Sequence, residues 1–372
     1  MNQELALRVL SRIMGWDDER ARQEFEWLRL MGDLKYDGYQ DYRAGSRFVE
    51  RLAAWLQQFE SADRELAYAF VRNELVYVGT NEMERLVEQF FPRTLQPELV
   101  ADTAAQLQVA PYLVRAAPEG AAHLESLQRK TLFMGLSDGA RLDIIRHHHT
   151  GVLSNEQFVL GTQVDQEKWA DLLGSLQEDL SDPDATFEFI YLLDDFVATG
   201  TTFVRYDREA GKWKGKLRKF RESLATAHKR LGLMSTDWHL RIHHYLASAT
   251  GAEHLRQKTA EYLESVEWEH GPRSATVSFG MTLPHDLPID RREPPLPFVP
   301  LAEKYYDPVL RTKHTDVGGA KHLGLGYGGC ALPVVLDHNT PNNAVALLWA
   351  DTAGSDDAHA MVPLFRRRQR HQ

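Results

Sequence analysis

A chain of 372 residues that is 43% apolar, with every aromatic type present, is long enough for two substantial cores. No run of it approaches the roughly 18 consecutive apolar residues of a membrane helix. The formal net charge of −10 excludes a protein that coats nucleic acid by neutralising phosphates over its whole surface, and a lone cysteine, Cys330, excludes a disulfide framework or a multi-thiolate zinc site.

The amino terminus, MNQELALRVLSRIMGWDDER, meets acidic residues before any signal-peptide apolar block forms, so a cytoplasmic protein is expected. From there to about residue 108 apolar residues recur at three-and-four spacing in ELALRVLSRIM, RFVERLAAWLQQF and MERLVEQFF, which predicts helices and no strand. Asp17 and Asp18 open one helix, Ser61 opens another, and Pro92 closes a third. Residues 1–115 are therefore expected as a helical module, with Trp27, Tyr36, Tyr39, Trp55 and Tyr77 in its core.

After Pro118 the pattern changes. KTLFMGL (130–136) reads as a strand, SDGARLDIIRHHH (137–149) as a turn and helix, NEQFVLG (155–161) as a short apolar run, and QEKWADLLGSLQEDL (166–180) as a helix. FEFIYLLDD, DWHLRIHHYLAS and ATVSFGMTL supply further strands. Strands alternating with helices predict an α/β fold with a largely parallel sheet over residues 116–290. HDLPIDRREPPLPFVP (285–300) is a proline-rich connection, and residues 291–372 form a C-terminal flank or hood with a basic tail. In that flank LGYGGCALPVVLDHNTPNNAVALLW (325–349) is expected as strands around an Asn-Thr-Pro-Asn turn, where Asn339, Asn342 and Asn343 serve either the turn or, as amide donors, a base or phosphate.

The segment FEFIYLLDDFVATGTTF (187–203) carries the chemistry. An apolar run, Ile190 to Leu193, ends abruptly in Asp194 and Asp195, at the strand edge where ligands bind in open α/β sheets. Ala198, Thr199, Gly200, Thr201 and Thr202 follow as a loop of small and hydroxyl residues, whose N–H groups suit a phosphate at a helix amino terminus. The two carboxylates are then placed to accept hydrogen bonds from vicinal sugar hydroxyls.

LLDDFVATGTT resembles the phosphoribosyl pyrophosphate signature of type I phosphoribosyltransferases, departing from it at Phe196, where a smaller aliphatic residue is usual. The resemblance implies a phosphoribosyltransferase-type parallel sheet, Asp194 and Asp195 on the ribose hydroxyls, Ala198 to Thr202 on the 5′-phosphate, and magnesium bridging sugar and pyrophosphate. It also implies an upstream pyrophosphate loop, for which Ser137, Asp138, Gly139, Ala140 and Arg141 are the candidates. Arg141 is either a bidentate grip on pyrophosphate or a solvated arginine on a surface turn. With GLSDGAR, NTPNNAVALLW and the extension containing KYDGYQDYRAGSRFVERLAAWL, the chain is similar over most of its length to the phosphoribosyltransferase-like proteins of prokaryotic conflict systems, including retron-associated cassettes. That similarity implies an antiphage effector that binds phosphoribosyl pyrophosphate or a nucleotide. Its chemistry would be glycosyl transfer or N-glycosidic cleavage, with Asp194, Asp195 and Arg141 catalytic. The partners implied are a reverse transcriptase, RNA or another defence-system subunit. The alternative is a non-catalytic nucleotide sensor or scaffold subunit.

Other constellations point elsewhere. His147, His148 and His149 sit at a helix end, where imidazolium complements the carbonyl dipole, and His239, Arg241 and His243 share one strand face with no acidic or thiol partner at ligand spacing. No GxxxxGK[ST] accompanies the acidic strand end, and VGGAKHLGLGYGG (317–329) reads as a flexible loop. The basic stretches GKWKGKLRKFR (211–221) and RRRQRH (366–371) read as a solvated helix face and a frayed terminus, with a local nucleic-acid patch as the alternative.

Overall fold

The computed structural model describes residues 3–354 and 359–367, so residues 368–371 of the basic tail lie outside the described residues. Nine strands form among them: β1 (Val76–Val78), β2 (Thr131–Gly135), β3 (Phe158–Val159), β4 (Phe187–Val197), β5 (Arg205–Asp207), β6 (Lys212–Lys214), β7 (Met234–Ala247), β8 (Ser274–Thr282) and β9 (Val334–Leu336). The chain divides into two compact units, Met1–Met83 with Pro284–Gln372, and Glu84–Leu283. These cut it elsewhere than composition does: residues 84–115 belong with the sheet, and the C-terminal flank folds with the first helices.

The Glu84–Leu283 unit has the expected α/β class. Its five strands lie in the order β3-β2-β4-β7-β8, and every pairing is parallel. The order reverses direction between β2 and β4, which makes the carboxyl ends of those two strands the crevice where an open sheet takes a ligand. Right-handed crossovers place the three connections that run the same way, β3 to β4, β4 to β7 and β7 to β8, on one face of the sheet. Their helices, Gln166–Leu180, Lys216–Leu231 and Ala249–Ser265, bury Trp169, Leu172, Phe220, Leu224, Leu255 and Tyr262 there against Ile190, Leu192, Leu240 and Ile242.

Only the Leu142–His148 helix, in the β2 to β3 connection, belongs to the other face, so that face must be covered by chain preceding β2. Phe90 meets Phe133, Tyr191 and His243 at ring distances of 6.2, 5.4 and 4.9 Å. Glu98, on the Gln96–Leu107 helix, accepts from Arg241 Nε at 3.1 Å and from the Tyr191 hydroxyl, while Asp102 lies 3.8 Å from the same guanidinium. The His239-Arg241-His243 face read from the strand alternation is thus real, and its acidic partners come from a helix over 130 residues earlier in the chain. Glu98, by hydrogen bond, and Asp102, by charge, hold the buried arginine where an apolar contact would leave it uncompensated.

In the other unit both ends of the chain share one core. Trp55, Tyr36, Tyr39 and Tyr77 are buried in it as expected, and Trp27 packs against its rim. Trp55 Nε1 donates to the Leu347 carbonyl at 2.7 Å, and Phe70 stacks on Phe298 at 3.9 Å. Two expectations fail here. Residues 76–78 form a strand, because β1 pairs in parallel with β9, more than 250 residues away and invisible to any local pattern. The second apolar run of the 325–349 segment is the short helix Ala346–Trp349 and not a strand: past the isolated Leu332–Ala344 bridge its backbone turns to local bonds, Leu348 N–H to the Val345 carbonyl and Ala350 N–H to the Ala346 carbonyl. Cys330 is buried, as a small apolar residue would be, and burial raises its thiol pKa. The amide of Asn343 donates to the Tyr327 carbonyl at 3.0 Å, so that asparagine serves the turn.

Removing Glu98 tests the clasp between helix and sheet. Glu98→Ala is expected to lower unfolding stability by about 2 kcal/mol, less than a fully sealed pair because the glutamate side chain is 29% exposed, and Glu98→Ala with Arg241→Met is expected to recover part of that loss in chemical denaturation.

Candidate functional site

Strand β4 continues through the acidic pair to Val197, so Asp194 and Asp195 lie within the last turns of the strand and not beyond its end. Alternation along a strand sends successive side chains to opposite faces. Asp194 shares a face with Leu192 and meets both the Lys216–Leu231 helix and Ser137 of the turn after β2; Asp195 shares a face with Tyr191 and meets Gly139 of that turn.

Asp194 is 7% exposed, and both its oxygens are engaged. Ser137 Oγ donates to Oδ1, and Lys216 Nζ lies 3.1 Å from Oδ2. Burial, then the neighbouring Asp195 carboxylate, push the Asp194 pKa up to about 6 against the opposing pull of Lys216 and Ser137. Asp195 is half-buried, and its Oδ1 accepts from the Phe196 N–H at 2.7 Å. A Cβ at position 139 would collide with the Asp195 carboxylate, which explains glycine in the SDGAR turn.

That turn is built tightly. Ser137 Oγ accepts from Gly139 N–H at 3.1 Å, Ala140 is buried with its carbonyl accepting from the Tyr245 hydroxyl at 2.8 Å, and Asp138 is exposed. Arg141, half-buried, adopts φ 48° and ψ 41° at the cap of the Leu142–His148 helix. A left-handed backbone costs a non-glycine residue roughly 1 kcal/mol, and such strain gathers at functional turns.

The Ala198–Thr202 loop turns its carbonyls into the protein. Ser248 Oγ donates to the Ala198 carbonyl at 2.6 Å, the N–H groups of Phe203 and Val204 donate to Gly200 at 3.0 and 3.1 Å, Arg205 Nη1 donates to Thr201 at 2.9 Å, and Lys216 N–H donates to Thr202 at 3.2 Å. Because N–H and C=O point oppositely across a peptide plane, the amides of Thr199, Thr201 and Thr202 face away from those carbonyl partners. Gly200 has φ +71° and packs against His254 and Leu255, and Thr199 and Thr201 share a hydroxyl contact of 3.0 Å. Gly251 presses on the Ala198 carbonyl so closely that no Cβ fits between them.

One expectation about this loop is corrected. The helix does not follow it directly, because the β5–β6 hairpin intervenes and the helix begins at Lys216. The hairpin leaves and returns at one point, where Gly215, at φ +122°, lies against the Phe203 carbonyl. The first helical amides, of Lys216 and Leu217, are consumed by the carbonyls of Thr202 and Phe203. Any phosphate site here would therefore be built from the loop and its own turn, without the amino terminus of the long helix.

The structure thus brings Ser137, Gly139 and Ala140 together with Asp194 and Asp195, and sets the Ala198–Thr202 loop at the end of the same strand. Three contributors escape sequence reasoning. Lys216 sits in a stretch that reads as a solvated helix face; its position directly after Gly215 is the signal that it starts the helix. His244 pairs in register with Asp194, is 2% exposed, and burial pulls its pKa down to about 3, so it is neutral, with Nδ1 buried and unpartnered. Ser248 caps the Ala249–Ser265 helix and holds the loop in the same gesture. The 147–149 histidines do end a helix, and among the described residues no group of three or more His, Cys, Asp or Glu could hold a metal ion. Cavities of about 170 Å³ beside Tyr42, Arg51 and Arg366 and about 340 Å³ beside Arg221, Trp268 and His270 are lined by none of the acidic-pair or loop residues.

The Asp194 environment has a measurable consequence. Its folded-state pKa lies above the ordinary value of 3.8, so the folded protein holds this proton more tightly, and this group's contribution to stability falls as pH rises from about 4 to about 6. Asp194→Asn is expected to remove a fall of up to about 3 kcal/mol across that window, read as denaturation midpoints at pH 4, 5, 6 and 7.5 for both proteins.

No curated protein and no solved structure matches the chain. Among the described residues no helix is long and apolar enough to cross a membrane. The family model of PRTase-CE matches residues 52–367, which takes in the sheet, the acidic pair, the threonine loop and most of the flank; the chain belongs to this family of phosphoribosyltransferase-like conflict-system effectors.

Proposed function

We propose that this protein binds phosphoribosyl pyrophosphate, or a nucleotide sharing its phosphorylated ribose, and acts on the bond at the anomeric carbon. The observation that carries this is the position of Asp194, Asp195 and the Ala198–Thr202 loop at the carboxyl end of β4, beside the β2 turn and at the point where strand order reverses. Family membership supports a phosphoribosyltransferase-like role and a nucleotide-type ligand.

In this reading the loop amides and the hydroxyls of Thr199, Thr201 and Thr202 take the 5′-phosphate. Asp194 and Asp195 hold the ribose hydroxyls and oppose the positive charge that develops on the ring as the glycosidic bond lengthens. Ser137, Asp138, Gly139, Ala140 and Arg141 take the pyrophosphate, with the Arg141 guanidinium as its charged contact. If magnesium binds, the carboxylates of Asp194 and Asp195 are the oxygen donors this chain would offer it, hard ligands of the kind the ion takes. When bound it would offset the negative charge gathering on the departing pyrophosphate.

A second reading, binding without turnover, is favoured by one observation: both oxygens of Asp194 are committed to protein groups in the ligand-free site. Pyrophosphate release separates the two.

Titration calorimetry with phosphoribosyl pyrophosphate and magnesium is expected to show binding by the wild type. Arg141→Ala is expected to weaken it about tenfold, as for one charge-assisted contact, and Asp194→Asn with Asp195→Asn is expected to abolish it. Absence of heat with the wild type, or unchanged affinity in the double variant, would refute this assignment.

A further inference from the structure

Lys216 occupies a position that a solvated helix lysine would not. Its backbone is fixed to the phosphate-cradle loop, through Lys216 N–H on the Thr202 carbonyl at 3.2 Å, while its ammonium lies 3.1 Å from Asp194 Oδ2. One side chain therefore spans from cradle to acidic pair, and only 28% of it is exposed. The inserted β5–β6 hairpin produces this arrangement, because it displaces the helix start until a lysine, and not a loop residue, stands beside Thr202.

We propose that Lys216 is a positioning and specificity residue of this site, which holds Asp194 in the ligand-free protein and moves to the ligand's phosphate on binding. Asp194 is thereby released to the sugar only when that sugar is phosphorylated. The proposal rests on the phosphoribosyl-binding reading above.

Three physical points carry it. Asp194 is 7% exposed, with Ser137 and Lys216 over its two oxygens, so a ribose hydroxyl reaches it only when one of these partners moves aside. Ser137 also accepts from Gly139 N–H and is locked into its turn, whereas the lysine ends a flexible four-carbon stem. An ammonium that passes from a carboxylate to a phosphate keeps a charge partner throughout, so the exchange strands no charge in a buried setting. Phosphorylated ligands alone make the exchange favourable. A free sugar offers the ammonium nothing in return for Asp194.

The groups facing Asp194 define what a titration would report. Asp195 adjoins it on β4, Ser137 faces it from the turn after β2, Lys216 from the helix, and His244, held neutral by burial, is its register partner on β7, where Tyr245 also feels its charge. Lys216 is the cation in hydrogen-bonding contact, and its loss is expected to drive the carboxyl further up.

The experiment uses the full chain as wild type, Lys216→Met and Lys216→Arg. Each is titrated calorimetrically with phosphoribosyl pyrophosphate plus magnesium and, separately, with ribose; the Asp194 carboxyl is followed by carbon NMR from pH 4 to 8 without ligand. The wild type is expected to bind the phosphorylated ligand and not ribose. Lys216→Met should lose at least tenfold in affinity and show an Asp194 midpoint above the wild-type value, and Lys216→Arg should recover most of both. Lys216→Met binding as tightly as a wild type that binds, or an unmoved Asp194 midpoint, overturns the proposal while the phosphoribosyl reading stands. A wild type that binds no phosphorylated ligand overturns both.

Discussion

The buried carboxylate of Asp194 is the point on which the rest of this site depends. It ties three elements that are distant in sequence: the β2 turn through Ser137, its own strand β4, and the helix after the hairpin through Lys216. A carboxylate this far from solvent is costly unless its oxygens are satisfied, and here each has a donor. That requirement aligns the turn with the strand before any ligand arrives. It also makes the site a closed arrangement, in which any ligand that takes Asp194 must compete with protein donors.

The surroundings can be derived from the same sheet. Parallel strands connected by right-handed crossovers leave one face rich in helices and the other poor, and the chain before β2 repairs the deficit. Phe90, Glu98 and Asp102 come from that earlier chain and pack on or clasp Phe133, Tyr191 and Arg241. The helices that seem from composition to form a separate module are therefore divided between two cores. Residues 84–115 complete the sheet, whereas the first four helices need the C-terminal flank to bury Trp55, Phe70 and the tyrosines around Phe365.

A pair of adjacent acidic residues in a strand cannot behave as two equal ligands. Alternation turns Asp194 toward the helix bearing Lys216 and Asp195 toward the turn bearing Gly139, and the two carboxylates differ accordingly in burial and partners. The threonine loop has a matching asymmetry: its carbonyls are spent on Ser248, Arg205, the Lys216 amide and its own turn. This division of labour comes from backbone geometry, and it makes glycine necessary at 200, where φ is positive, and at 139, where the carboxylate leaves no room.

Much of this was legible in the chain. Hydrophobic period and length alone predicted the parallel α/β class and located β2, β4, β7 and β8; β2 and the start of β4 are the continuous apolar runs of strands buried on both faces, whereas β7 and β8 showed as β-rich runs broken by polar residues. The Asp-Asp and Thr-Gly-Thr-Thr residues also stood out locally, since a strand that ends in charge and small hydroxyl residues has few bland explanations. What local pattern could not supply was any partner distant in sequence: the β1–β9 ladder, the Glu98 clasp on Arg241, the neutral His244 beside Asp194, and the return of the hairpin to Thr202. Sequence by itself singled out the acidic pair and the threonine loop as the candidate site, because residue type and spacing are local properties. Only the tertiary structure decided that Asp194 is held by Ser137 and Lys216, because hydrogen-bond satisfaction of a buried carboxylate is settled by whichever donors the fold brings within reach.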